Sequence, residues 1–112
     1  RQAHVMEDGL FESWLRSAAA VLRPRGGVAI IARPEQLQPI LDALTNRFGN
    51  AEMVAVHPRA DAAAIRIVIR AVRGARGKLS LCPPLVMHEG PGNAFSARAD
   101  MVGNGLSPLF GD

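Results

Sequence analysis

The sequence predicts an α/β fold, and three observations carry that reading. A helical pattern runs through Leu22-Arg23-Pro24-Arg25-Gly26-Gly27 into the apolar run Val28-Ala29-Ile30-Ile31-Ala32, so helix, tight turn and strand follow one another directly. That strand lacks polar alternation, the pattern of a strand covered on both faces. Further on, residues 51–56 and 65–72 read as two β-branched strands joined by a loop, as in an antiparallel pair. The expected order is helix, strand, helix, strand, strand, then an extended tail.

Over residues 8–22, Leu10, Phe11, Trp14, Leu15, Ala18, Val21 and Leu22 recur at helical spacing and form one apolar face, with Trp14 expected in the core. Asp8 is suited to cap the first turn, and Glu7 and Glu12 suit the positive end of the helix dipole. Pro24 cannot continue the helix, and Gly26 and Gly27 are expected to supply the positive-φ conformations of the turn. After the strand, Arg33-Pro34-Glu35 punctuates the chain. A second helix is expected to begin near Gln36, which places Pro39 in its first turn, and to bury Leu37, Ile40, Leu41, Leu44 and Phe48 before ending at Gly49-Asn50.

In the strand at 65–72, Ile65, Ile67, Ile69 and Ala71 share one face, and Arg66, Val68, Arg70 and Val72 the other. Arg66 and Arg70 must therefore reach solvent, an acidic partner or a polyanion, because a buried unpaired guanidinium is prohibitively costly. Residues 78–82 alternate like an edge strand until Pro83-Pro84 stops the ladder, and residues 85–89 extend again. From Gly90 onward the density of Gly, Pro, Asn and Ser predicts an irregular tail, 90–112, packed on the surface or partly disordered.

A chain of 112 residues is a single domain by length, short for a complete doubly wound enzyme. It carries no apolar run long enough for a membrane span or signal peptide, and its single cysteine, Cys82, excludes an internal disulfide; both point to a cytoplasmic protein without a membrane partner. Cys82, His4, His57 and His88 show no metal-ligand spacing, so no metal site is expected. The net charge is +3, and cations concentrate from Arg59 to Lys78 with only Asp61 opposing them. Arg59, Arg66, Arg70 and Arg73 are thus candidates for a phosphate-facing stripe on nucleic acid; the competing reading is a solvated edge in an arginine-rich chain. No nucleophile elbow, paired-carboxylate motif or diagnostic histidine–carboxylate spacing is present, so no catalytic residue is assigned. Gly26-Gly27 precedes a strand, whereas a dinucleotide loop follows one, so no cofactor-binding residue is assigned either.

The segment Ala18-Ala19-Ala20-Val21-Leu22-Arg23-Pro24-Arg25-Gly26-Gly27 before Val28-Ala29-Ile30-Ile31 resembles the fourth helix, L-[KR]-P-G-G turn and fifth strand of class I S-adenosylmethionine-dependent methyltransferases. Together with His57-Pro58-Arg59, Ala64-Ile65-Arg66 and Leu81-Cys82-Pro83-Pro84-Leu85-Val86-Met87-His88-Glu89, it resembles the C-terminal half of the "methyltransferase small domain" proteins similar to bacterial tRNA(Val) adenine methyltransferases, up to about Glu89. The resemblance implies a Rossmann-like sheet whose fifth, sixth and seventh strands are residues 28–32, 51–56 and 65–72, the seventh antiparallel and inserted between the other two. It implies S-adenosylmethionine as cofactor and an adenine amine of tRNA as acceptor. The family's glycine-rich cofactor loop and N-P-P-[FY] motif do not occur here; Pro83-Pro84 lacks both the preceding asparagine and the following aromatic.

The first helix also lacks the preceding strand that would complete a crossover. The chain is therefore expected to be one partial domain, 1–112, inactive alone, with residues 28–32 left as an exposed edge through which it dimerises or self-associates. The alternative is a free-standing, non-catalytic α/β binding or assembly module.

Overall fold

The structure, a computed structural model, describes residues 8–105 and 108–112. His4 and Glu7 lie outside the described residues, as does the side chain of Asp8. Helix α1 (Asp8–Val21) is followed by strand β1 (Gly27–Ala32), a 3-10 turn (Pro34–Gln36), α2 (Leu37–Leu44), β2 (Phe48–His57), β3 (Arg66–Arg73), the short strands β4 (Ser80–Leu81) and β5 (Leu85–Val86), and α3 (Ala97–Gly103).

β3 lies between β1 and β2 and runs antiparallel to both, in the order β1-β3-β2-β4, so β1 and β2 are parallel to each other. Ile69 stands opposite Ile30 on one side and Met53 on the other. The inserted antiparallel strand is the arrangement expected for residues 28–32, 51–56 and 65–72. β4 and β5 both run parallel to β2, at Glu52↔Ser80 and Val56↔Leu85. Pro83-Pro84 has no N–H to donate, so it interrupts one extended run beside β2, which resumes at Leu85 as the sequence suggested.

One face of the sheet carries Ile30, Ala32, Ile67, Ile69 and Ala71 against α1 and α2, where Phe11, Leu15, Ile40, Ala43 and Leu44 are buried. Each fully buried leucine or isoleucine here contributes about 1.5–3 kcal/mol relative to an exposed one. The second face is covered over β2 by Leu85, Ala99, Leu109 and Phe110 around Val54. Over β1 it is open: Ile31 is 74% exposed, so β1 is not covered on both faces as its unbroken apolar run suggested. The helix α1 also buries a narrower stripe than its periodicity implied, with Leu10, Trp14 and Val21 exposed. Trp14 is 41% exposed and is not a core residue.

The turns differ from the expected ones in instructive ways. Between α1 and β1 the positive φ falls on Arg25 (71°), not on either glycine. Gly26 is needed for space instead, since a Cβ there would meet the Arg23 carbonyl oxygen at 3.0 Å. Pro39 sits in the first turn of α2, as expected. That helix ends at Leu44, and Asn46 (φ 68°) reverses the chain, so Phe48 is buried from the start of β2 and not on a helix face. The tail beyond Gly90 contains α3, capped by the Ser96 hydroxyl accepting from the Ala99 amide at 3.0 Å. It is held to the sheet by Arg70, which pairs with Asp112 at 2.7 Å and lies over the Phe110 ring at 4.3 Å.

Two of these features give measurable expectations. At the bulge in β2, a Cβ on Gly49 would stand 2.1 Å from the Ala75 carbonyl oxygen, a backbone atom of a buried residue. Gly49→Ala should lower the unfolding free energy by about 3 kcal/mol in urea titrations, as overpacked sites do. Exposed Gly9, with open space around it in α1, should instead tolerate Ala with a slight gain.

The second concerns Glu12, which accepts from Arg47 at 2.7 Å and from Arg16 at 3.1 Å. The Arg47 hydrogen bond in particular holds its carboxyl below the ordinary carboxylate value. A carboxyl depressed in the folded state contributes stability above its unfolded pKa and loses it as pH falls through the folded one. Glu12→Gln should therefore reduce the urea midpoint at pH 7, and the difference from the parent chain should shrink as pH falls below the intrinsic glutamate value of about 4.3 and through the lower folded one.

Candidate functional site at the carboxyl ends of the strands

In open α/β sheets, ligands collect beyond the carboxyl ends of the parallel strands, where the chain leaves the sheet in loops. β1, β2 and β5 end together at Ala32, His57 and Val86, and β3 begins there at Arg66. His57-Pro58-Arg59 and Met87-His88-Glu89 are knitted by backbone hydrogen bonds from the Met87 amide to the His57 carbonyl and from the His88 amide to the Pro58 carbonyl, both 2.9 Å. These are two of the motifs singled out in the sequence, and the fold brings them side by side.

Their side chains are held by local partners. His57 Nδ1 lies 2.7 Å from the Ala62 carbonyl, which makes Nδ1 the donor and leaves the lone pair on Nε2. His88 Nδ1 stands 3.1 Å from the Ala94 carbonyl by the same logic, and its ring stacks on Phe95 at 5.4 Å and 11°. Arg59 donates to the carbonyls of Gly90, at 2.8 Å, and Gly92, closing the loop that follows. Between these segments lies a polar cavity of about 380 Å³ lined by Arg59, Ala60, Asp61, His88 and Glu89. It can present two carboxylates, an imidazole and a guanidinium to a small polar group. Among the described residues no three His, Cys, Asp or Glu side chains gather to hold a metal ion, and no helix is long and apolar enough to cross a membrane.

The residues at this end do not fit S-adenosylmethionine. A nucleotide-type cofactor is held where a strand passes through a glycine-rich turn into a helix. β1 passes instead through Arg33-Pro34-Glu35-Gln36, closed by the Arg33 amide donating to Gln36 Oε1 at 3.1 Å, with no glycine to admit a ligand against the backbone. The two glycines of that region lie at the other end of β1.

The four candidate arginines are not one stripe. Arg59 and Arg66 lie at the carboxyl ends, Arg70 lies mid-sheet and Arg73 at the amino ends. Arg70 is engaged by Glu52 (2.7 Å), Asp112 and Phe110, and Arg73 donates to the Leu22 carbonyl. Only Arg66 is left with its own neighbour, the Ile65 carbonyl at 2.7 Å. The sequence reading passed over Arg47 and Ser96, although a serine three residues before the buried Ala99 is a legible capping signal.

No family model matches the chain, and no curated protein does. Among solved structures it is similar to a predicted O-methyltransferase, protein Atu636 from Agrobacterium tumefaciens, with 38% identity and a TM-score of 0.83 over 88% of this chain. The chain spans 47% of the length of that neighbour. Sheet order, strand directions and this similarity together make the fold a methyltransferase-like α/β fold.

Proposed function

We propose that this chain forms the β1-β3-β2 end of the sheet of an S-adenosylmethionine-dependent methyltransferase that acts on the exocyclic amine of an adenine in tRNA. The observation that carries the methyltransferase reading is β3 inserted antiparallel between two parallel strands, in a chain 38% identical to the predicted O-methyltransferase. The unfilled side of β1 supports a partner half: its outer edge pairs with no strand among the described residues and Ile31 is open to solvent. On this reading the cofactor loop and the N-P-P-[FY] loop belong to residues outside the chain. Its own part is to end the sheet and to wall the acceptor side with His57, Arg59 and His88, Arg66 being the one of the four candidate arginines at that end not drawn to a distant partner. The adenine acceptor rests on the His57-Pro58-Arg59 and Leu81–Glu89 motifs. A hydroxyl acceptor is the second reading, favoured by the description of the neighbour as an O-methyltransferase.

The test pairs this chain with the full gene product that contains it. In calorimetric titration the 112-residue chain should give no heat with S-adenosylmethionine, and the full product should bind it and transfer labelled methyl to unmodified tRNA. Nucleoside digestion should place the label on the adenine amine; label on a ribose or base oxygen would select the second reading. Binding by the chain alone would overturn the assignment of the pocket to other residues, and no binding by either protein would leave the assembly module.

The isolated chain should also self-associate through β1, because an apolar edge with free N–H and C=O groups is a template for another strand. Sedimentation should show concentration-dependent association that Ile31→Lys reduces. A monomer at all concentrations would argue against an edge built for a partner.

A further inference from the structure

The amino ends of the strands, opposite the candidate site, are built from three basic turns bound to one another. The Arg25 amide donates to the Arg73 carbonyl at 3.2 Å and the Arg73 amide to the Gly26 carbonyl at 2.7 Å, joining the α1–β1 turn to the end of β3. The Gly74 amide donates to the Arg47 carbonyl at 2.9 Å and the Asn50 amide to the Gly77 carbonyl at 3.1 Å, joining the loop after β3 to the start of β2. These turns carry Arg23, Arg25, Arg47, Arg73, Arg76 and Lys78, six of the thirteen lysines and arginines of the chain. Arg47 is neutralised by Glu12, and Arg73 turns inward to the Leu22 carbonyl. Arg23, Arg25, Arg76 and Lys78 are exposed and make no side-chain hydrogen bond or ion pair among the described residues.

Three further features say what this edge suits. A groove of about 500 Å³ runs between Asn46–Gly49 and Gly74–Gly77, with Arg47 and Arg76 on its walls and three glycines baring backbone. Phe48, the aromatic residue of that lining, is buried, so the groove itself offers no aromatic platform for an unstacked base. Arg25 holds a φ of 71°, a conformation that costs a non-glycine residue and that its two glycine neighbours do not use, while its exposed side chain makes no hydrogen bond or ion pair among the described residues.

We propose that this edge binds the phosphate backbone of a double-stranded nucleic acid, through Arg23, Arg25, Arg76 and Lys78, without reading bases. The choice of RNA rests on the function proposed above; the phosphate-binding surface does not. The strands separate it from the candidate site, so a duplex held here is gripped away from the nucleotide that reacts.

Fluorescence anisotropy with an RNA duplex of about sixteen base pairs, titrated between about 50 and 200 mM salt, tests it on the 112-residue chain. The variant with Arg23, Arg25, Arg76 and Lys78 all changed to Ala should bind at least about tenfold more weakly, and its log K against log salt slope should be shallower by about 3.6, about 0.9 for each of the four lost phosphate contacts. Circular dichroism should show both proteins folded, since all four side chains are exposed and make no hydrogen bond or ion pair among the described residues. An unchanged slope, an equal loss from Arg66→Ala alone, or binding only to phosphatidylserine vesicles would overturn the proposal. A DNA duplex bound as tightly as RNA would uphold the surface and reject its assignment to RNA. Duplex binding without methyl transfer by the full gene product would keep the surface and retire the tRNA reading; transfer with an unaltered salt slope would do the reverse.

Discussion

The interaction on which the rest of this structure depends is the double pairing of β3. A strand that hydrogen-bonds on both edges lies between β1 and β2, which run parallel and are not paired with each other in the sheet. Its apolar side, Ile67, Ile69 and Ala71, lies at the centre of the core under α1 and α2. Its other side carries Arg70, whose pairing with Glu52 and Asp112 draws the chain terminus across the sheet. Because β3 runs against its neighbours, its first residue lies among their carboxyl ends and its last among their amino ends. Both functional edges described above are therefore set by the placement of one eight-residue strand.

β3 was also among the most legible parts of the sequence. Over 65–72, Ile65, Ile67, Ile69 and Ala71 alternate with Arg66, Val68, Arg70 and Val72, which separates an apolar face from a mixed one without reference to anything else in the chain. The helix-turn-strand junction was legible for a similar reason, since Pro24 and Gly26 act locally. What could not be read locally was misplaced. Phe48 completes the helical spacing Ile40, Leu41, Leu44, but Asn46 takes a left-handed conformation two residues earlier, and tertiary burial gives Phe48 to β2. The unbroken apolar run of β1 suggested cover on both faces; the run is real, yet the cover for Ile31 is not supplied by the described residues. The tail was read from composition alone, which hid a seven-residue helix behind its glycines.

The candidate site was less legible than the fold, and the reason is range. Whether an arginine is free or engaged is decided by partners far along the chain: Arg47 finds Glu12 across 35 positions and Arg73 finds the Leu22 carbonyl across 51. A count of cations between Arg59 and Lys78 gave one stripe, and the fold divides it between two ends of the sheet and the middle. The motifs His57-Pro58-Arg59 and Met87-His88-Glu89 were visible separately, but only the parallel pairing of β5 with β2 brings them into one wall.

The two ends of the sheet have consequently acquired different chemical characters. At the carboxyl ends the polar side chains are largely satisfied by nearby carbonyls, with Arg59 spent on the loop at Gly90–Gly92 and each histidine fixed in one tautomer. Such an arrangement shapes a wall and costs no reorganisation when a neighbouring group arrives. At the amino ends the turns are tied together by backbone hydrogen bonds and by the Arg73 and Arg47 side chains, which leaves Arg23, Arg25, Arg76 and Lys78 unspent among the described residues. A rigid backbone bearing free cations suits phosphate, a ligand whose binding is dominated by charge and tolerates imprecise geometry. The open face and edge of β1 run between these two ends, so a half-domain docked there would meet both: completing a pocket at one, and extending a basic surface at the other.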